Sequence, residues 1–249
     1  MRISETVKHL IIVNVIFFGA SMFIPAIKEL FAMYYFESPS FYVWQPLTHM
    51  FMHGSIMHIL FNMFALFSFG STLEMMWGGK KFLTFYLLCG FGAALLHTGV
   101  NYFSVHSAVS TLTDNGYNAS DVMALLKEGK YDLRWGGILG DGQLHNFLSA
   151  YNTPVVGASG AVYGLLVAFA FMFPNAELMM MFIPVPIKAK YFVPGILLID
   201  LYGGVAGSFS LFGGGGGIAH FAHIGGALMG YLLMMYYKKT QFNNNRWDR

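Results

Sequence analysis

Six long apolar stretches, separated by polar connections, run along the 249-residue chain. A helix needs about 20 predominantly apolar residues to cross the hydrocarbon core of a bilayer, and each stretch is close to that length. The predicted spanning helices cover residues 10–27, 56–77, 82–105, 155–173, 191–212 and 218–237. The pattern predicts an all-α polytopic membrane protein built as a single membrane domain, residues 1–249.

The composition agrees with a bilayer as the solvent. Hydrophobic residues make up 56% of the chain and charged residues only 10%, whereas soluble domains are about a quarter charged. The formal net charge of +2 gives no reason to expect nucleic acid, and no nucleotide, cofactor or metal is expected either. The single cysteine, Cys89, excludes an intrachain disulfide and a cysteine-based metal site.

Lysine and arginine residues favour one side of the predicted bundle. If the N-terminus is cytoplasmic, ten of the 14 basic residues lie in inner segments and four in outer ones. Basic connections stay in the cytoplasm, so both termini are predicted to be cytoplasmic. The expected location is a membrane that the chain crosses several times, with the lipid bilayer as the surrounding partner.

The outer connection between the third and fourth helices, residues 106–153, is long and polar. It is interpreted as an extracytoplasmic insert whose role is open. A short helix from Ser120 to Lys130, capped by Ser120, is predicted within it.

Polar residues in membrane spans are costly and are therefore candidates for function. Gly157-Ala158-Ser159-Gly160 opens the fourth predicted helix, where free N–H groups and the helix dipole favour an oxyanion. The glycines let other groups approach the serine closely. Such a string arises by chance in roughly one chain in ten, and Gly160 with Gly164 also makes a helix-packing face. Alone, the motif favours packing.

A histidine motif opens the sixth predicted helix. His223 precedes Gly226 and Gly230, which are four apart and allow another helix to approach closely. The simplest interpretation of His223 is a hydrogen bond to a backbone carbonyl. If the two glycine faces pack on each other, His223 instead lies beside Ser159, and a serine with an adjacent base is an activated nucleophile.

The second predicted helix carries His58 and Asn62, four residues apart on one face. Two such donors could converge on an oxyanion, although interhelical hydrogen bonding is common for both residue types. All three motifs lie near the outer ends of their helices, within roughly 10 Å of the surface at 1.5 Å per residue. Polar residues that served only packing would have no reason to share one depth, so the pattern indicates a nucleophile, a base and two oxyanion donors.

The three motifs resemble those of the rhomboid family of intramembrane serine proteases. The family's pattern is H-x-x-x-N on the second helix, G-x-S-G on the fourth and A-H-x-x-G on the sixth, and all three occur here in that order. The resemblance covers about residues 5–237 and implies a six-helix rhomboid-like bundle. It also implies the cytoplasmic membrane of a bacterium as the expected location. It also implies that the substrates are single-span or polytopic membrane proteins, cut near the outer surface after a small side chain.

The resemblance further implies roles for individual residues. Ser159 and His223 would form a catalytic dyad with no third, acidic member. His58, Asn62 and the Ser159 backbone N–H would bind the oxyanion. Tyr163 would pack against the catalytic histidine, with Gly157 and Gly160 as supporting residues.

Three polar residues of the predicted spans have no clear place in this pattern. Some relatives carry Trp-Arg in the first outer loop, but Gln45 follows tryptophan here, so the partner of Glu74 is open. Asp200 lies in the middle of the fifth span, where structural pairing or gating is favoured over catalysis. His220 could share a face with His223, but a metal site is disfavoured because H-E-x-x-H is missing.

Two other functions are compatible with a polytopic chain. A catalytically inactive rhomboid-like protein would bind transmembrane clients, but it would be expected to lack the serine or the histidine. A small transporter or channel would need polar groups through the whole membrane thickness, and here they cluster at one end, with Asp200 the main exception.

Overall fold

A computed structural model describes residues 2–180, 183–206 and 219–240. The chain is mainly helical. The helices are α1 (Glu5–Phe23), α2 (Pro25–Phe31), α3 (Gln45–Thr48), α4 (Ile56–Ala65), α5 (Ser71–Trp77), α6 (Gly79–Asp114), α7 (Ala119–Lys127), α8 (Trp135–Asn152), α9 (Ser159–Met172), α10 (Ala189–Ala206) and α11 (Ala219–Thr240). A 3-10 turn (His49–Phe51) follows α3, and a π-helical turn (Leu66–Gly70) joins α4 to α5.

Helices occupy all six apolar stretches as far as the structure describes them. In chain order they are α1, α4 with α5, α6, α9, α10 and α11. By length and apolar composition, Glu5–Phe23, Ile56–Trp77 and Gly79–Asp114 are able to cross a membrane, whereas the apolar α9 has 14 residues. The predicted end of the fifth helix, the glycine run 213–217 and residue 218 lie outside the described residues. The fold is an all-α membrane bundle with one small exception.

That exception is a β-hairpin in the connection between α9 and α10. Strands β1 (Glu177–Met180) and β2 (Ile183–Lys188) pair antiparallel, with Glu177 opposite Lys188 and Leu178 opposite Ile187. The sequence pattern did not predict strands here, because the segment is short and follows a long apolar run.

Close backbone contact joins α9, α11 and α6. A Cβ added at Gly226 would collide with the carbonyl group of Gly160, and one at Gly230 would lie 2.7 Å from Gly164 Cα. On the other side of α11, a Cβ at Gly225 would lie 2.6 Å from the carbonyl oxygen of Gly92 on α6. Small residues allow helices to approach this closely in membranes, so the two predicted glycine faces meet.

Glu74, whose partner was open, holds the start of α1. Its carboxylate accepts hydrogen bonds from the Ser4 hydroxyl at 2.5 Å and from the backbone N–H groups of Thr6 and Val7, both at 2.9 Å. The first N–H groups of a helix lack partners within it and attract negative charge. The hydrogen-bond donors at the start of α1 are therefore the partners of Glu74, in place of an arginine.

A second hydrophobic core lies apart from the main one. It comprises Tyr35, one face of the C-terminal part of α6 and apolar residues of α7 and α8, with Trp135, Phe147, Tyr151, Leu112 and Leu126 each almost fully buried. Residues 106–153 are therefore a folded helical unit and not an extended polar loop.

The short helix predicted in this region is present as α7, but its cap differs from the prediction. The Asn118 side chain accepts the hydrogen bond from the Ser120 N–H at 2.9 Å. Asparagine is as favourable as serine at this position. The cap lies two residues before the predicted one, and the helix ends at Lys127 and not at Lys130.

Candidate active site

Ser159 and His223 meet at the start of their helices. Ser159 is the first residue of α9 and His223 the fifth residue of α11. Ser159 Oγ lies 2.9 Å from His223 Nε2, a normal hydrogen-bond distance. The contact follows from the glycine packing described above, because Gly160 and Gly226 bring the backbones of α9 and α11 together next to these side chains.

The surroundings of this pair are partly open and hold the imidazole in place. The His223 side chain keeps 16% of its surface exposed. Tyr163, one turn along α9 from Ser159, stacks on the His223 ring with centroids 4.3 Å apart and planes inclined by 8°. The His223 ring is therefore partly accessible from outside the bundle, while its plane is fixed by the tyrosine.

His58 lies on the other side of the serine. The Gly54 N–H donates to His58 Nδ1 at 3.4 Å, which leaves Nε2 as the ring nitrogen that carries hydrogen. A Cβ added at Gly157 would lie 2.8 Å from His58 Nε2 and 3.4 Å from Ser159 Oγ. The donor nitrogen of His58 therefore borders the space beside Ser159 Oγ.

Gly157 can occupy this position because it has no side chain. Its φ of 126° lies in a region that other residues rarely adopt. Its N–H donates to the His49 carbonyl at 2.9 Å, which fixes the segment that leads into α9. Burial lowers the pKa of His49 to about 4, so this imidazole is neutral at physiological pH.

Asn62 is buried on α4, one turn beyond His58. Its Nδ2 donates to the His58 backbone carbonyl at 2.9 Å. This bond aligns the amide along its own helix and uses one of its two hydrogens. The second hydrogen is the one that an oxyanion would need.

Asp200 lies beside His223, whereas the resemblance implied a site without a third, acidic member. Its Oδ1 is 3.2 Å from His223 Nδ1 and 2.5 Å from His220 Nδ1. The packing of α10 against α11 brings Asp200 to the same depth as the two histidines. The sequence signals were an intramembrane carboxylate that required a partner and two histidines three residues apart, but the register between the two helices could not be read from the sequence.

Comparison with known proteins assigns the family. The Rhomboid domain matches residues 40–111 and 134–240, which together make up more than half of the chain and include His58, Ser159 and His223. The chain belongs to the rhomboid family. Between its two parts, the match leaves residues 112–133 uncovered. This segment is shorter than the predicted insert, and it contains the end of α6 and all of α7.

Curated relatives of this rhomboid are distant. Rhomboid protein 1, mitochondrial, of Saccharomyces cerevisiae is 26% identical over 76% of this chain and 40% of its own length. Presenilin-associated rhomboid-like protein, mitochondrial, from Homo sapiens and from Bos taurus, is in each case 25% identical over 93% of this chain and 48% of its own length. The chain thus spans less than half the length of the relatives it matches.

One group in this rhomboid has the composition of a metal site. Asp200, His220 and His223 each offer a ligand atom, and these atoms lie within 4.8 Å of one another. Two ligands of one tetrahedral zinc ion are held about 3.3 Å apart by bonds of about 2.0 Å. The 2.5 Å between Asp200 and His220 fits a direct hydrogen bond better than shared ligation.

Proposed function

We propose that this rhomboid is a serine-type intramembrane endopeptidase, with Ser159 as nucleophile and His223 as general base. The observation that carries the proposal is the 2.9 Å contact between Ser159 Oγ and His223 Nε2. A serine hydroxyl is a weak nucleophile until an adjacent base takes its proton. The stacked Tyr163 ring supports the same role, because it restricts the histidine to one orientation.

The reaction follows from these positions. The Ser159 hydroxyl proton passes to His223 Nε2 as Oγ attacks the scissile carbonyl carbon, and the carbonyl electron pair moves onto its oxygen. His223 then gives the proton to the leaving amine, and an acyl-enzyme remains. His223 then takes a proton from a water molecule as the water oxygen attacks the ester carbonyl. The same proton passes from His223 to Ser159 Oγ as the carboxyl product leaves.

The negative oxygen of the intermediate needs donors. His58 Nε2–H, the Asn62 amide and the Ser159 backbone N–H are the proposed set. The support for His58 is its tautomer, fixed by Gly54, together with its position against Gly157 and Ser159. Loss of one such donor typically lowers the rate by about a hundredfold or more.

The proposed substrates are single-span or polytopic membrane proteins. A transmembrane helix would have to unwind locally, because a peptide bond within a helix is closed to attack by Ser159. Helix-breaking residues near the cleaved bond would ease this step. We also keep the cytoplasmic membrane of a bacterium as the proposed location, with both termini inside; the relatives named above are mitochondrial proteins by their own names.

The test uses a fluorophosphonate probe together with a panel of single-span substrates. Wild type should be labelled and should cut at least one substrate, with product masses that give the cleavage position. Ser159→Ala should lose both activities, and the matched Ser149→Ala variant, altered on α8, should keep both. Wild type that neither labels nor cuts would contradict the proposal and favour client binding or transport.

A further inference from the structure

A buried carboxylate completes a chain of polar contacts behind the catalytic pair. Only 6% of the Asp200 side chain and 5% of the His220 side chain are exposed. Asp200 Oδ1 lies 3.2 Å from His223 Nδ1. A buried polar group that lacks a hydrogen-bond partner costs free energy, and an aspartate in a membrane span costs more. A carboxylate retained here requires a role that offsets this cost.

The two ring nitrogens of His223 have opposite tasks in the proposed reaction. Nε2 must lack hydrogen so that it can accept the Ser159 proton. In the neutral ring, hydrogen must then sit on Nδ1, and Nδ1 faces Asp200 Oδ1. A carboxylate can only accept a hydrogen bond, so its position selects the tautomer that the reaction needs.

His220 explains how the carboxylate keeps its place. His220 Nδ1 donates to the same oxygen, Oδ1, at 2.5 Å. The rings of His220 and His223 are perpendicular, with centroids 6.2 Å apart. Two donors from one helix therefore converge on a single oxygen of Asp200, which ties α10 to α11 at the level of the nucleophile.

We infer that Asp200 is a positioning residue that holds His223 in its Nδ1–H tautomer and stabilises the imidazolium, with His220 as its support. The inference rests on the proposed function. When Ser159 attacks, its proton moves to His223 Nε2, and the Nδ1 hydrogen stays on Nδ1 and donates to Asp200. The carboxylate remains ionised throughout and opposes the positive charge that appears on the ring.

A purely structural Asp200 would behave differently. If it only links α10 to α11, its loss would lower the free energy of unfolding and leave the chemistry of the folded enzyme unchanged. If it positions His223, Asp200→Asn should act on the chemical step. The amide can present an N–H to Nδ1, which would force hydrogen onto Nε2 and block the acceptance of the Ser159 proton.

The first measurement gives kcat and KM for a cleaved transmembrane substrate, with active sites counted by fluorophosphonate labelling. The second is ¹⁵N NMR of histidine-labelled protein in detergent, which reports the tautomer of His223. Asp200→Asn should lower kcat by about a hundredfold or more with little change in KM. His223 should show the Nδ1–H tautomer in wild type and Nε2–H in the variant. His220→Asn should cause a smaller loss of kcat.

Glu74→Gln makes the same change of acid to amide at a buried carboxylate far along the chain from the site, and it should keep both kcat and tautomer. An Nε2–H tautomer of His223 in wild type, or Asp200→Asn with the kcat of wild type, would overturn this inference even if Ser159→Ala is inactive. Wild type without any cleavage would instead refute the proposed function. The wild-type spectrum keeps the inference falsifiable if Asp200→Asn does not fold.

Discussion

Gly226 on α11 lies directly against the backbone carbonyl of Gly160 on α9, one residue beyond Ser159. No side chain separates the two helices at this point, and Gly230 repeats the contact one turn later against Gly164. The close approach of the two helices that carry Ser159 and His223 therefore rests on direct backbone contact at these glycines. Any atom added between them must push the serine and the histidine apart.

Gly226→Ala should damage both stability and activity. The added methyl would overlap the Gly160 carbonyl, and overpacking of this kind costs about 1–3 kcal/mol. A displacement of about 1 Å at the site can lower the rate a hundredfold. Unfolding in mixed detergent and the rate of fluorophosphonate labelling would measure the two effects.

Gly99→Ala is the matched control for that change, because Gly99 lies within α6 and has no neighbouring atom within 4 Å of the added methyl. It should be neutral or stabilising by up to about 1 kcal/mol. If Gly226→Ala proved as harmless as Gly99→Ala, the helices would not be in the contact described.

Gly157→Ala should impair catalysis more than it impairs folding. The new methyl would sit 2.8 Å from His58 Nε2, at a backbone φ of 126°. We expect kcat to fall by about a hundredfold or more, since the oxyanion donor is displaced. Gly116→Ala, at a φ of 89° but in open space, should keep full activity; equal losses in both variants would attribute the effect to backbone strain alone.

His58→Ala should lower kcat by about a hundredfold or more and change KM little, because an oxyanion donor acts mainly in the transition state. The Ser159–His223 contact does not involve His58, so the fluorophosphonate should still label Ser159, though more slowly. His145→Ala, which alters an exposed histidine on α8, should leave kcat unchanged. An unaltered kcat in His58→Ala would contradict the proposed role of His58 in binding the oxyanion.

Glu74→Gln should destabilise the protein without changing the chemistry. The carboxylate accepts three hydrogen bonds at the start of α1, and the amide would turn a donor toward these donors, at a cost of about 1–3 kcal/mol. Glu5→Gln, which affects an exposed ion pair with Lys8, should cost less than about 1 kcal/mol. Equal unfolding free energies for the two variants would contradict the role of Glu74.

Short motifs with strict local geometry could be interpreted from the sequence. The helix-packing glycines predicted the contact between α9 and α11, and the depth argument placed Ser159 and His223 at one level. Asp200 was assigned structural pairing or gating because its partner depends on how far α10 slides along α11, which no local pattern records. The second core also escaped prediction, because its apolar residues are spread among polar ones on α7 and α8 and become a core only when these helices fold onto α6.

The length of α6 links the two halves of the molecule. Its 36 residues extend about 54 Å, from Phe82 in the first core to Leu112 in the second without a break. Gly92 lies against Gly225, two residues from His223. Because α6 is continuous, a tilt of the second core relative to the first would move Gly92. Through the contact of Gly92 with Gly225, it would also move the backbone next to His223.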